Sequence, residues 1–192
     1  MNSRANAVSE DAWVPALPVG ILGLISVLLL QGVLGRLVAL PAQRHPEISK
    51  YPFVTILLWV VMASLVAGVV EETSFRGYMQ RPIERRHGPV AALLVTGTLF
   101  GFAHFTHPEV GMILLPFYIA VAAVYGMLAY LTDSTYPSIV LHAAGDMFSI
   151  LDLFTRGRSS WQLTATPLPP VRKSGLDASF LGNLAGLVVV GA

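Results

Sequence analysis

The sequence predicts an all-α fold, a multi-pass transmembrane helical bundle of about five to six spans around a buried polar site. Three observations predict it. The chain is 54% hydrophobic and only 12% charged over 192 residues, whereas a soluble domain carries about 25% charged residues. Its mean hydropathy is +0.66. The apolar residues gather into runs near the ~20 residues that cross roughly 30 Å of hydrocarbon.

The runs place spans near residues 17–37, 53–73, 89–106, 110–131 and 137–154. A sixth apolar stretch, FLGNLAGLVVVGA from Phe180, is too short to cross alone and reads as a partial span, an interfacial segment or, the favoured reading, the start of a truncated span. The organisation that follows is an N-terminal span and loop over 1–52, a core over 53–154, and a polar loop with a partial span over 155–192. No internal repeat is visible.

Each connection has its own chemistry. MNSRANAVSEDAW precedes an apolar stretch longer than a signal-peptide core and without a small-residue cleavage site, so it leads into a retained first span. PAQRHPEISKYP is polar and bracketed by prolines, as a short inter-helical loop should be. RGYMQRPIERRHGP reads as a membrane-surface segment, with Gly88-Pro89 punctuating the next span and Tyr78 and Met79 at the interface. TDSTYPS combines Asp133, Ser134 and Pro137 as turn and helix-start residues, and 155–174 is an exposed proline-bearing loop.

Charge and cysteine content exclude several classes. A net charge of +1 offers no basic surface for nucleic acid. The absence of cysteine excludes disulfides, thiolate metal sites and a cysteine nucleophile. Arg76, Arg81, Arg85 and Arg86 fall on one side of the membrane, and Arg36, Arg44, Lys50, Arg156, Arg158, Arg172 and Lys173 on the other. The two sets nearly balance, so orientation does not follow from them.

Three places put ionisable groups where lipid should be. In EETSFR, Glu72 and Arg76 are four apart and share a helix face, which makes a local ion pair, while Glu71 points elsewhere and is left available. In FGFAHF, Phe100 and His104 have the same spacing, and in HAAGDMF, His142 and Asp146 repeat it. Intramembrane charges face the bundle interior and find one another, so Glu71, His104, His142 and Asp146 should converge. Small residues at Gly97, Gly101, Ala103, Ala143, Ala144 and Gly145 let the helices approach. His107 and Glu109 read as loop residues, and His45 and His87 as solvated.

A glutamate and a histidine sharing one water make a general base, because burial raises a carboxylate's pKa and imidazole already titrates near neutrality. Amide hydrolysis also needs donors aimed at the developing oxyanion, and a His142 held by Asp146 suits that task. Taken singly, the Glu72–Arg76 pair is structural and His104 an interior histidine. The conjunction on three helices favours chemistry. Two other readings are a catalytically inactive scaffold or immunity-type protein, and a proton or ion carrier. A carrier would be built from paired broken helices in matching halves, and none are visible.

EETSFR, FGFAH and HAAGD, in this order and at these intervals, resemble the EExxxR, FxxxH and Hxxx(N/D) motifs of the CPBP intramembrane proteases, which comprise type II CAAX prenyl endopeptidases, bacteriocin-processing enzymes and Abi proteins. The likeness covers about 66–148. It implies a site sunk below the surface of the cell membrane, and an endopeptidase cutting a membrane-embedded or lipidated peptide, such as a prenylated CAAX protein or a leader peptide. By position, Glu71 and His104 would activate the water and His142 and Asp146 would form the oxyanion site. Glu72, Arg76 and Phe100 would support them. No cofactor is expected; the alternative is Zn2+ on His104, His142 and Glu71. Asp146 stands where asparagine is more frequent and donates no hydrogen bond when ionised, which implies that it acts by orienting His142.

Overall fold

The computed structural model describes residues 4–38, 50–105, 108–156 and 168–191. It is helical throughout, with no strand among the described residues: α1 (Glu10–Leu37), α2 (Phe53–Glu72), a π-helical stretch (Thr73–Gln80), α3 (Arg81–Ala103), α4 (Pro108–Thr132), α5 (Tyr136–Arg156), the single turn α6 (Val171–Ser174) and α7 (Ala178–Gly191). Among the described residues, three helical runs are long and apolar enough to cross a membrane: Glu10–Leu37, Phe53–Ala103 and Met112–Thr132. This is an integral membrane bundle. The fifth expected span falls on α5 and the stretch from Phe180 on α7.

The first helix starts earlier than its apolar run, at Glu10. Ser9 is extended and its carbonyl accepts from the amides of Ala12 and Trp13, while Glu10 and Asp11 occupy the first turn. Acids there offset the unpaired N–H groups and the positive end of the helix dipole. Polarity at this point is helix-start chemistry and not a tail.

The larger departure lies at 76–89, expected as a surface segment. Helix continues through it, so the second and third expected spans form one run of 51 residues. Arg76, Gly77 and Gln80 are buried, so Arg76 does not belong among the charges that report on topology. Glu72, Arg76, Gln80 and Glu84 are spaced by four along this run. Arg76 Nη2 donates to the Ala122 carbonyl at 3.2 Å and Gln80 Nε2 to the Gly126 carbonyl at 2.9 Å. Backbone oxygens of α4 thus accept one N–H from each of two side chains that otherwise demand water. The run breaks only at Gly88, whose φ of 83° and ψ of 167° suit a residue without Cβ and lead into Pro89.

Helix α3 packs chiefly on α4, α2 on α5, and α1 on α7 and α4. Close approach depends on small residues. A Cβ at Gly68 would lie 3.0 Å from the Ile139 carbonyl and 3.1 Å from Ala143 Cβ, and one at Gly97 would lie 3.4 Å from Ala122 Cβ. The core gathers Ala16, Leu24 and Val27 of α1, Phe100 of α3, Tyr125 and Leu128 of α4, and Leu141 of α5.

Two polar clasps hold opposite ends. At one, the buried Arg4 pairs with Glu84 at 2.5 Å and Asp133 at 3.1 Å, its carbonyl accepts from Thr135 N–H at 3.0 Å, and Ser134 Oγ donates to the Asn6 carbonyl at 2.8 Å. The N-terminal strap is thereby tied to the α4–α5 turn and to the start of α3. At the other, Arg36 donates to Asp177 at 2.8 and 2.6 Å, to Ser174 Oγ at 2.8 Å and to the Pro169 carbonyl at 2.9 Å, docking α6 and α7 on the end of α1.

The second clasp carries a pH prediction. Hydrogen bonding by Arg36, with the Phe180 N–H, holds the Asp177 carboxyl at about 2, below the ordinary 3.8. A folded-state pKa below the unfolded one stabilises above the unfolded value and is lost as pH falls through the folded one. Protection factors of the α7 amides, which are corrected for the intrinsic pH dependence of exchange, are therefore expected to be flat from neutrality down to about pH 5 and to fall between about pH 4 and 2. Arg36→Ala should abolish that pH step. A step of the same size in the variant would refute the assignment.

His45 and His107 lie outside the described residues, as does most of the loop expected at 155–174. Glu109, expected in a loop, lies in the first turn of α4, and His87 is exposed.

Candidate active site

Glu71 and Glu72 close α2, where the backbone widens into the π-helical stretch, a winding often found at functional sites. Successive residues point in different directions, and here they go to different layers of the bundle.

Glu72 is fully buried. Its Oε1 accepts from His142 Nδ1 at 2.7 Å and lies 3.1 Å from Arg76 Nη1, an ion pair whose angle falls short of a hydrogen bond. The Arg76 guanidinium, 1% exposed in its side chain, also sits 4.8 Å above the Phe100 ring and 5.5 Å above that of Tyr125. Aromatic faces and the Ala122 carbonyl replace the water this cation gives up.

Glu71 faces the other way. Its Oε2 lies 3.7 Å from His104 Nε2 and 3.8 Å from His142 Nε2, and makes no hydrogen bond. Asp146 Oδ2 approaches His142 Nε2 at 3.6 Å. These separations exceed direct hydrogen bonds and suit groups that share one small oxygen species. Side-chain exposure sorts the residues into two layers. Glu71, His104 and Asp146 are 28%, 31% and 26% exposed, against 6% for His142 and none for Glu72. The first three are partly exposed, and the others are buried behind them.

The histidines are held in defined tautomers. His104 Nδ1 lies 2.8 Å from the Phe100 carbonyl. A carbonyl only accepts, so Nδ1 carries the proton, and the Nε2 turned to Glu71 offers a lone pair when the ring is neutral. His142 Nδ1 donates to the Glu72 carboxylate, which leaves Nε2 as the ring edge directed into the site.

The four residues expected to converge, Glu71, His104, His142 and Asp146, do meet here, and Phe100, Glu72 and Arg76 border them. One expectation is corrected. The hydrogen-bond partner that orients His142 is Glu72, from another helix, and Asp146 sits on the opposite side of the ring. The i,i+4 spacing brings Asp146 near His142 but leaves it facing Nε2 and not Nδ1.

Helix α4 was absent from the expected site altogether. Tyr118 stacks on His104 with centroids 4.9 Å apart, and Tyr125 on His142 at the same distance and with planes 8° apart. The signal available in the sequence was their spacing of seven, two helical turns on one face. The zinc alternative would draw on His104 Nε2, His142 Nε2 and Glu71 Oε2. Among the described residues, no three His, Asp or Glu groups are arranged to hold an ion, so these three side chains as placed do not fit one.

A family model described as type II CAAX prenyl endopeptidase, Rce1-like, matches residues 53–148. The matched segment contains every residue of the two layers. No curated protein and no solved structure matches the chain.

Proposed function

From the chain's membership of the Rce1-like family of type II CAAX prenyl endopeptidases, which makes it an intramembrane CAAX-type endopeptidase at the level of the family, we propose a mechanism of water activated by Glu71 and His104. The observation that carries it is the unpartnered Glu71 Oε2 flanked by two imidazole Nε2 atoms at 3.7 and 3.8 Å. A water between Glu71 and His104 donates one proton to each acceptor and keeps a lone pair for the scissile carbonyl carbon. As the C–O bond forms, Glu71 takes the proton and the carbonyl becomes an oxyanion. The Nε2–H of the His142 imidazolium stabilises that charge, with Glu72 balancing the ring from behind. Glu71 then returns its proton to the amide nitrogen, the C–N bond breaks, and carboxylic acid and amine leave. Asp146, 3.6 Å from His142 Nε2, places a carboxylate beside the imidazolium and donates no hydrogen bond when ionised.

The substrate in this reading is a peptide carrying a prenylated cysteine, presented from the bilayer to a multi-pass enzyme of the cell membrane whose protease core is 53–154. Purified protein in detergent is incubated with an internally quenched peptide bearing a farnesylated cysteine, its unprenylated twin and a hydrophobic leader-type peptide, each with and without a chelator. Cleavage that requires the farnesyl group and survives the chelator supports the reading. Equal cleavage of the leader-type peptide would shift the substrate class. Loss on chelation, restored by zinc, would replace the mechanism with a metal one. No cleavage of any peptide, with a cellular phenotype retained, would favour the inactive scaffold.

A further inference from the structure

We propose that Tyr118 and Tyr125 of α4 are positioning residues that set the ring planes of the two site histidines. The inference rests on the reading above for its kinetic consequence, but not for its geometry. Each imidazole is anchored at one atom: His104 through Nδ1 on the Phe100 carbonyl at 2.8 Å, His142 through Nδ1 on Glu72 at 2.7 Å. One hydrogen bond fixes a point and leaves the ring free to rock about it, which swings Nε2, the working atom on the far edge.

Flat contacts remove that freedom. The Phe100 ring lies 4.3 Å from His104 at 37°, and Tyr118 lies 4.9 Å from it at 27°. His142 meets the edge of Phe100 at 6.2 Å and 65°, and the face of Tyr125 at 4.9 Å and 8°. Phe100 is thus common to both histidines, and each has a tyrosine of its own. The tyrosines sit two turns apart on α4, and between them the Ala122 carbonyl holds Arg76. One face of a single helix therefore sets both rings and the cation that backs Glu72. Tyr125 is fully buried and Ser138 Oγ donates to its carbonyl at 2.8 Å, locking α4 to the helix that carries His142.

The alternative role for Tyr125 lies in its hydroxyl, which is buried and makes no hydrogen bond. Phenylalanine keeps the ring and removes that group; leucine removes both. With histidine-labelled protein in detergent, the ring-proton resonances of His142 are assigned through His142→Gln. They should carry an upfield ring-current displacement that Tyr125→Leu removes and Tyr125→Phe restores. On the farnesylated peptide, Tyr125→Leu should lower kcat by about 10- to 100-fold at unchanged KM, the signature of a misplaced group, with rescue by Tyr125→Phe. Tyr118→Leu and Tyr118→Phe repeat the comparison on His104 at a less buried position, should Tyr125→Leu fail to fold.

An unchanged His142 displacement in Tyr125→Leu would overturn the stacking. A Tyr125→Phe variant as slow as Tyr125→Leu would overturn the assignment to the ring in favour of the hydroxyl. If wild type cleaves none of the peptides, the proposed function falls, and the resonance arm alone still decides whether the tyrosines set the rings.

Discussion

Glu71→Gln is expected to lower kcat by about 10²- to 10⁴-fold, the range lost with a general base, while the protein remains folded. Glutamine has the same shape but places an amide where the attacking water must find an acceptor. The fold should tolerate it, because Glu71 Oε2 has no hydrogen bond to lose and the side chain is 28% exposed. Glu71→Asp keeps the charge and withdraws it by one methylene, so it should retain more activity than Glu71→Gln. The check is single-turnover cleavage of the farnesylated peptide, paired with thermal unfolding in the same detergent. Wild-type turnover by Glu71→Gln would remove Glu71 from the chemistry, and a large fall in melting temperature would make it a structural residue.

Glu72→Ala is expected to do the opposite, destabilising the bundle by about 3–5 kcal/mol as breaking a buried ion pair does. The Glu72 side chain is fully buried, and Arg76 is 1% exposed. Removing the carboxylate leaves a cation in a low-dielectric interior and strips His142 Nδ1 of its acceptor. Replacing both members of the pair, as in Glu72→Ala with Arg76→Met, should cost less than the sum of the single changes, because no charge is stranded. Equilibrium unfolding of the four proteins in one detergent closes the cycle. Additive losses would show that the pair is not coupled. Adjacent glutamates at the end of one helix therefore have separate tasks, one exposed to the reaction and one sealed behind it.

Local periodicity made much of this legible. Composition and the length of the apolar runs led to a helical membrane bundle, and spacings of four placed Arg76 beside Glu72 and His104 beneath Phe100. The polar stretch from Arg76 to Gly88 was not legible as helix, because polarity in a sequence does not say whether water or a neighbouring backbone satisfies it. The carbonyls of Ala122 and Gly126 do so here for Arg76 and Gln80. Arg4 was equally opaque: its partners Glu84 and Asp133 lie 80 and 129 residues away.

By itself the sequence determined the fold class and which groups were too costly to leave in lipid without a purpose, since both follow from burial and from the pitch of a single helix. Only the tertiary structure decided partners. That Glu72 and not Asp146 grips His142, that Glu71 lies between two imidazoles, and that α4 brings a tyrosine to each histidine all depend on how one helix is rotated and shifted against another. Side chains from every contact determine that placement together, and no single stretch of chain encodes it.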